Sequence, residues 1–272
     1  MTTTTALSPT ATGRTTSFTT STLVVAKRAV LKYVRTPQLV VLGAVQGAMF
    51  LLIFRYVFGG AITSGGLKYV DFLVPGFITT GVLFSGAGAA AGVAEDVEQG
   101  FFDRLRSLPI SRLSVPMGRA LADTAALTWG LLVTVGIGFL VGFRLHNSLP
   151  EALLAFGLCI VFGFAWGWVF IVMGLMAGNA QAAQGMSLMV FPFTFVSAAY
   201  VPTASMPGWL QPVAEHQPIT PMVNSVRLLT QGDAAERIIG HSAGGQVVIA
   251  LLWAAGIVLV FAPIAVSRYR KG

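Results

Sequence analysis

The chain has 272 residues, 55% of them hydrophobic and only 10% charged, with a mean hydropathy of +0.77. Soluble domains carry about a quarter charged residues and cannot hide so much apolar surface, which excludes a water-soluble enzyme or binding module and makes lipid the main solvent. The net charge of +7 sits in tails and connecting segments, the pattern of membrane orientation and anionic headgroups rather than of nucleic-acid binding.

Half of the first 22 residues are threonine. Residues 1–16 have no apolar core, so they read as a disordered tail and not as a secretory signal. Residues 17–36 change character. Leu23, Ala26, Val30, Tyr33 and Val34 recur at helical spacing on one face, and Arg28, Lys32 and Arg35 on another. This predicts a basic amphipathic helix lying in the membrane interface, broken at Pro37.

Six membrane spans follow, near 38–58, 72–94, 117–143, 152–177, 183–201 and 246–266. Long Gly-rich apolar runs without strand-period alternation make them helices rather than barrel strands. The fifth contains Pro192 and runs into VPTASMPGWLQPVAEHQPITP, which has five prolines. A short or broken span is expected there, followed by a partly re-entrant, interfacial segment, because unsatisfied backbone cannot face lipid. Glycine pairs four apart, such as Gly88/Gly92, Gly163/Gly167 and Gly174/Gly178, suit close helix packing within one bundle.

Of the 17 Lys and Arg, twelve fall on the side of the two termini, whereas Arg55, Lys68, Arg144, Arg227 and Arg237 fall on the other. Positive charge favours the cytosol, so both termini are expected to be cytoplasmic. The densest charge cluster, EDVEQGFFDRLRSLPISR at 95–112, then lies on the cytosolic side between the second and third spans. It reads as a helix with Glu95, Asp96 and Glu98 at its start and Arg104 and Arg106 near its end, in the order that complements a helix dipole. Gly100 allows a bend. Phe101, Leu105 and Leu108 form an apolar stripe, and Pro109 closes the element. Arg119 and Asp123 stand four apart and are placed to pair. Physical chemistry alone leaves two accounts of this stretch: a solvated helix on the headgroups, or a docking surface for a cytosolic partner.

Other motifs carry little chemistry. GHSAG at 240–244 matches the nucleophile elbow of serine hydrolases but lacks the strand that must precede it. It reads as a turn capping the sixth span. Glu215 and His216 lack further ligands at metal-site spacing, and no metal site is expected. Trp209 and Tyr200 read as interfacial anchors. Cys159 sits alone in an apolar run. None of the four lysines is followed by Ser or Thr, so a Gly-Lys-Ser/Thr phosphate loop is absent. Met186, Met189, Phe191, Phe193 and Phe195 cluster in the fifth span. They form either ordinary packing or an adaptable apolar surface for a drug-like or lipid substrate.

Two segments carry a resemblance. LVPGFITTGVLFSGAGAAAGVAEDVEQGFFDRLRSLPISRLSVPMGRALAD resembles the corresponding part of the ABC-2 type permeases, most closely the daunorubicin-resistance type of drug-export permease. Its marks are acidic residues, then Glu98-Gln99-Gly100, then Arg-Leu-Arg-Ser-Leu-Pro-Ile-Ser-Arg at 104–112. FVSAAYVPTASMPGWLQPVAEHQPITPMVNSVRLL, residues 195–229, is similar to the family's outward segment. The resemblance covers about residues 20–268 and departs from the family at Phe101-Phe102, where many relatives carry smaller or polar residues.

The resemblance implies an ABC-2 type transmembrane domain over 17–268: an all-α fold of six spans, an interfacial N-terminal helix and a cytosolic coupling helix. It implies a cell-membrane exporter subunit for a hydrophobic or amphipathic drug, antibiotic or lipid. The subunit would pair with a second copy or a related permease, on two copies of a separate ATPase that binds the ATP and magnesium. Glu95, Asp96, Glu98, Gly100, Phe101, Arg104, Leu105, Arg106 and Pro109 would then make the docking region. The first and fifth spans would line the dimer interface and the substrate route. A different class, a nucleotide-independent carrier or channel, would place ionisable residues at midspan; the centres of the six proposed spans have no Asp, Glu, Lys or Arg.

Overall fold

A computed structural model describes residues 17–60 and 66–271, without the side chains of residues 37, 39–44 and 271. The threonine-rich tail lies outside the described residues. Helix α1 (Phe18–Val34) leads through two residues into α2 (Pro37–Ile53), where Pro37 takes the first turn, a position that needs no backbone N–H. A five-residue π-helical turn, Phe54–Phe58, prolongs α2.

Among the described residues, four helices are long and apolar enough to cross a membrane: α3 (Tyr69–Glu98), α5 (Ser114–Leu140), α6 (Leu149–Met176) and α12 (Ala243–Lys271). The 30 residues of α3 reach about 45 Å at the usual helical rise, longer than a hydrocarbon core of about 30 Å, so its last turns leave the apolar layer. Helix α6 is the hub. It packs against α3, α5, α10 (Ile219–Gln231) and α12, and two-thirds of its most apolar stretch is buried in protein. A capping box starts it: the backbone N–H and hydroxyl of Ser148 both donate to Glu151.

The expected fifth span is broken. It consists of α7 (Ala180–Ser187), one 3-10 turn (Leu188–Val190) and α8 (Phe191–Phe195), and stops well short of residue 201. Pro192 starts α8 and cannot donate into a preceding turn. The next residues run as turns into α9 (Gln211–His216) and α10. In this non-helical stretch the first residues, Ser197 to Tyr200, are covered by protein. The carbonyl of Ala199 lies against Gly76 of α3, where any Cβ would collide with it. That is the condition under which irregular chain is tolerated at membrane depth.

Helix α1 packs Ser21, Thr22, Val25 and Ala29 against α5, where Gly118 leaves room for Thr22 and Val25, while Leu23 and Val34 of the expected apolar face stay exposed. Two expectations need correction. The carboxylates of the 95–112 stretch do not open a helix. Glu95, Asp96 and Glu98 end α3, and the separate helix α4 is only Phe101–Arg106, with Leu108 and Pro109 beyond it. Tyr200 is not an interfacial anchor; it is buried, stacked on Phe54 at 5.0 Å, and its hydroxyl bonds Thr80 Oγ1 at 3.0 Å.

The glycines confirm packing only in part. Gly138, Gly163 and Gly174 meet side chains or backbone of neighbouring helices, whereas Gly47, Gly88 and Gly167 face open space. In GHSAG, Gly240 ends helix α11 (Asp233–Ile239), and Ser242 Oγ accepts the Gly245 N–H at the start of α12. The element before the motif is a helix, not the strand an elbow requires.

Candidate functional site

The end of the bundle that carries α4 is built from charges. Three carboxylates in the last turn of α3 face the negative end of its dipole, an unfavourable position for anions. Cations from other helices offset this. Lys32 Nζ of α1 donates to Glu95 at 2.8 Å. Arg28 of α1 reaches Asp96 Oδ1 at 3.3 Å, and Arg119 Nη1 of α5 reaches Asp96 Oδ2 at 3.3 Å.

Arg119 is the centre of this network. Its Nε donates to both oxygens of Asp123 at 3.0 and 3.1 Å, so the pair suggested by the four-residue spacing forms. Its Nη2 donates to Tyr33 Oη at 3.3 Å and to the Ala89 carbonyl at 3.2 Å. The Tyr33 hydroxyl donates to Asp123 Oδ1 at 3.1 Å. Burial, reinforced by the Asp123 charge, holds the Tyr33 phenol well above its ordinary pKa. The guanidinium fits beside α3 because residue 92 is glycine; a Cβ there would run into it. Two arginines and two aspartates thus form a neutral, largely buried cluster joining α1, α3 and α5.

Helix α4 hangs from this cluster through Gly100, which adopts φ +65, a left-handed conformation that glycine takes at no steric cost. Its two phenylalanines are buried to different depths. Phe101 lies under Arg28, whose guanidinium carbon is 3.4 Å from the ring centroid. Phe102 is buried in a core with Val93, Val115, Trp168, Ile171 and Tyr269. Leu105 packs partly on the same core. Arg106 pairs with Asp103 at 2.6 Å and donates from Nε to the Tyr269 carbonyl at 2.9 Å. Glu98, Asp103, Arg104, Ser107, Leu108 and Pro109 remain exposed.

Of the residues expected to form a docking region, Asp96 therefore works inside the chain, Phe101, Leu105 and Arg106 brace α4, and Glu98, Arg104 and Pro109 face outward. Sequence reading missed Arg28, Tyr33, Phe102 and Tyr269, whose partners lie far away along the chain. Gly92 was noted only as a packing residue.

At the opposite end, Phe191 and Phe195 sit one turn apart on α8 and extend a chain of rings. Phe84 meets Phe191 at 5.3 Å, Phe191 meets Phe195 at 4.9 Å, and Phe195 meets Tyr200 at 5.0 Å. Met189 and Phe193 are more exposed, and Met186 is half-buried. Nearby, Arg227 of α10 is fully buried. Its Nε and Nη2 donate to the Phe72 carbonyl at 3.1 and 3.0 Å, and Nη2 to the Ala198 carbonyl at 2.9 Å. Glu215 accepts from Thr203, and His216 folds back on the Pro212 carbonyl of its own helix.

Comparison with known proteins places this geometry. The family model for ABC-2 type transporters matches residues 20–229. A daunorubicin resistance ABC transporter permease protein of Streptomyces coeruleorubidus is 32% identical over 224 residues, 82% of this chain and 76% of that protein. A protein of Mycobacterium tuberculosis named "Probable doxorubicin resistance ABC transporter permease protein" is 27% identical over 264 residues, 93% of this chain and 90% of that protein.

Proposed function

This chain belongs to the ABC-2 type transporter family, and we propose that it is the membrane-spanning subunit of an ATP-driven exporter. A separate ATPase chain would bind ATP and magnesium and hydrolyse the nucleotide, because the chain has no phosphate loop of its own. Two ATPase copies would serve two membrane subunits in the cell membrane, with α4 and both termini in the cytoplasm, where the excess of Lys and Arg directs them. The six-span reading counts α2 with its π turn as the first crossing and the broken α7–α8 as the fifth.

The observation that carries the proposal is α4. It is a six-residue helix between two spans, exposed on one face and braced on the other by α1 and α12. A partner that grips Glu98, Arg104 and Leu108 can displace it, and its braces would pass the displacement to the bundle. Differential contact of the two nucleotide states with this face would shift an inward–outward equilibrium. The cargo would be hydrophobic or amphipathic, a drug, antibiotic or lipid, meeting Met186, Met189, Phe191, Phe193 and Phe195 along the α8 rings.

The buried Asp96–Arg119–Asp123 cluster favours a second reading, since intramembrane ionisable residues mark ion-coupled carriers. Its members are paired with one another, however, and Asp96 lies in the last turn of α3 beside α4, away from midspan.

The test is to solubilise the tagged chain gently from its native membrane and assay what co-purifies for ATP hydrolysis, with Glu98→Arg as the control. Glu98 is exposed, so this variant should fold. A stoichiometric ATPase in the parent, lost or uncoupled in the variant, is expected. A chain that purifies alone from intact membranes would overturn the exporter reading.

A further inference from the structure

The family match ends at residue 229, yet the structure ties the last turns of the chain to α4. Tyr269, in the last turn of α12, is 2% exposed. Its ring meets Phe102 edge-on, with centroids 5.5 Å apart and planes at 85°, the arrangement aromatic quadrupoles favour. Its carbonyl takes the Arg106 Nε–H at 2.9 Å, and the Arg106 guanidinium lies 5.0 Å from its ring centroid. One residue thus grips both ends of α4: Phe102 at the start and Arg106 at the finish.

Between α4, α3, α6 and α12 there is a cavity of about 120 Å³, lined by Val97, Phe102, Asp103, Arg106, Leu175 and Arg268. Gly100 gives a flexible joint between α4 and α3. A displaced α4 can pivot about Gly100, but it cannot leave Tyr269 without breaking a ring contact and a charge-assisted hydrogen bond.

We propose that Tyr269 is a positioning residue that makes α12 follow α4, so that the last membrane helix is driven directly by the coupling helix and not through α3. The inference rests on the exporter reading and goes beyond it. The Tyr269 ring and backbone carry the grip; the phenol does not.

The experiment uses the full chain with its co-purified ATPase in lipid nanodiscs. Spin labels are placed on cysteines introduced at the exposed positions Leu121 of α5 and Ser267 of α12; the native Cys159 is buried. The label separation is compared with and without Mg-ATP. The parent should show a nucleotide-dependent change. Tyr269→Phe should keep it and Tyr269→Ala should lose most of it while still binding the ATPase. Should Tyr269→Ala fail to fold, Phe102→Leu, which keeps apolar bulk but loses the edge-on ring, should cut the change by about half or more. A full change in Tyr269→Ala or in Phe102→Leu overturns the inference and leaves the exporter reading standing. So does a parent that binds and drives its ATPase without any change. Absence of an ATPase from the parent preparation overturns both.

Discussion

Arg119 of α5 and Asp96 of α3 face each other across the bundle, Nη1 to Oδ2 at 3.3 Å, with side chains only 5% and 4% exposed. A buried ion pair is weak evidence for stability as such, because desolvation offsets much of the attraction. Here the remaining valences are filled as well, by Asp123, Tyr33, Arg28 and a backbone carbonyl. Such a network is costly only when it is incomplete.

Removing Arg119 should therefore cost much more than replacing the cluster. Arg119→Ala leaves two buried carboxylates without their shared cation and should destabilise by about 3–5 kcal/mol. Adding Asp96→Asn and Asp123→Asn to it should recover part of that loss. Thermal unfolding in detergent, followed by tryptophan fluorescence, reads both. A triple variant no more stable than the single one would show that the charges do not determine the cost.

Glycines of the same helix should respond oppositely to alanine. At Gly76 the new methyl meets the Ala199 backbone, which cannot rotate aside, and overpacking of this kind costs about 1–3 kcal/mol. At Gly92 it displaces the Arg119 guanidinium and should reproduce part of the Arg119→Ala loss. At Gly88 it meets nothing, and alanine should be neutral or stabilising by about 0.5–1 kcal/mol as a better helix former. A thermal scan of the three variants would rank them, and an order other than Gly88 above Gly92 and Gly76 would contradict the packing described.

Arg227→Met should loosen the irregular segment after α8. It leaves the Phe72 and Ala198 carbonyls buried without their donor, at about 1–3 kcal/mol for each group. The expected signature is faster proteolysis between residues 196 and 218, with α3, α5 and α6 still protected. Equal protease resistance in the variant and the parent would mean that the fit of Ala199 on Gly76 and the Ala198 N–H donated to Thr220 Oγ1 hold the segment unaided.

Tyr33 predicts an alkaline limit. Its folded pKa is raised, so its contribution is complete below the unfolded value of about 10 and is lost as pH climbs from there toward the higher folded value. The stability difference between the parent and Tyr33→Phe should be flat from pH 7 to 9 and shrink above about pH 10. A difference that changes between pH 7 and 9 would point to another titrating group.

Much of this was legible in the chain. Composition and run length required a helical membrane protein, since a bilayer accepts few other structures. Pro192 and the prolines beyond it announced the broken fifth segment. The spacing of Arg119 and Asp123 announced their pair. The face by which α1 packs on α5 was not legible, because apolar periodicity reports what avoids water and the packed face is made of Ser21, Thr22, Val25 and Ala29. The start of the α4 helix was misread because the carboxylates suited a helix N-terminus, while their actual partners, Arg28, Lys32 and Arg119, lie 68, 63 and 23 residues away.

The sequence by itself determined the solvent, the helical class, the position of the charged hinge and the membership of a transporter family, because each depends on local composition or a contiguous motif. Only the tertiary structure decided which charges are internal and which face outward, and that the end of α12 holds α4. Those outcomes depend on long-range contacts in three dimensions: a guanidinium finds the gap beside Gly92, and a tyrosine near the chain end closes over a phenylalanine 167 residues before it.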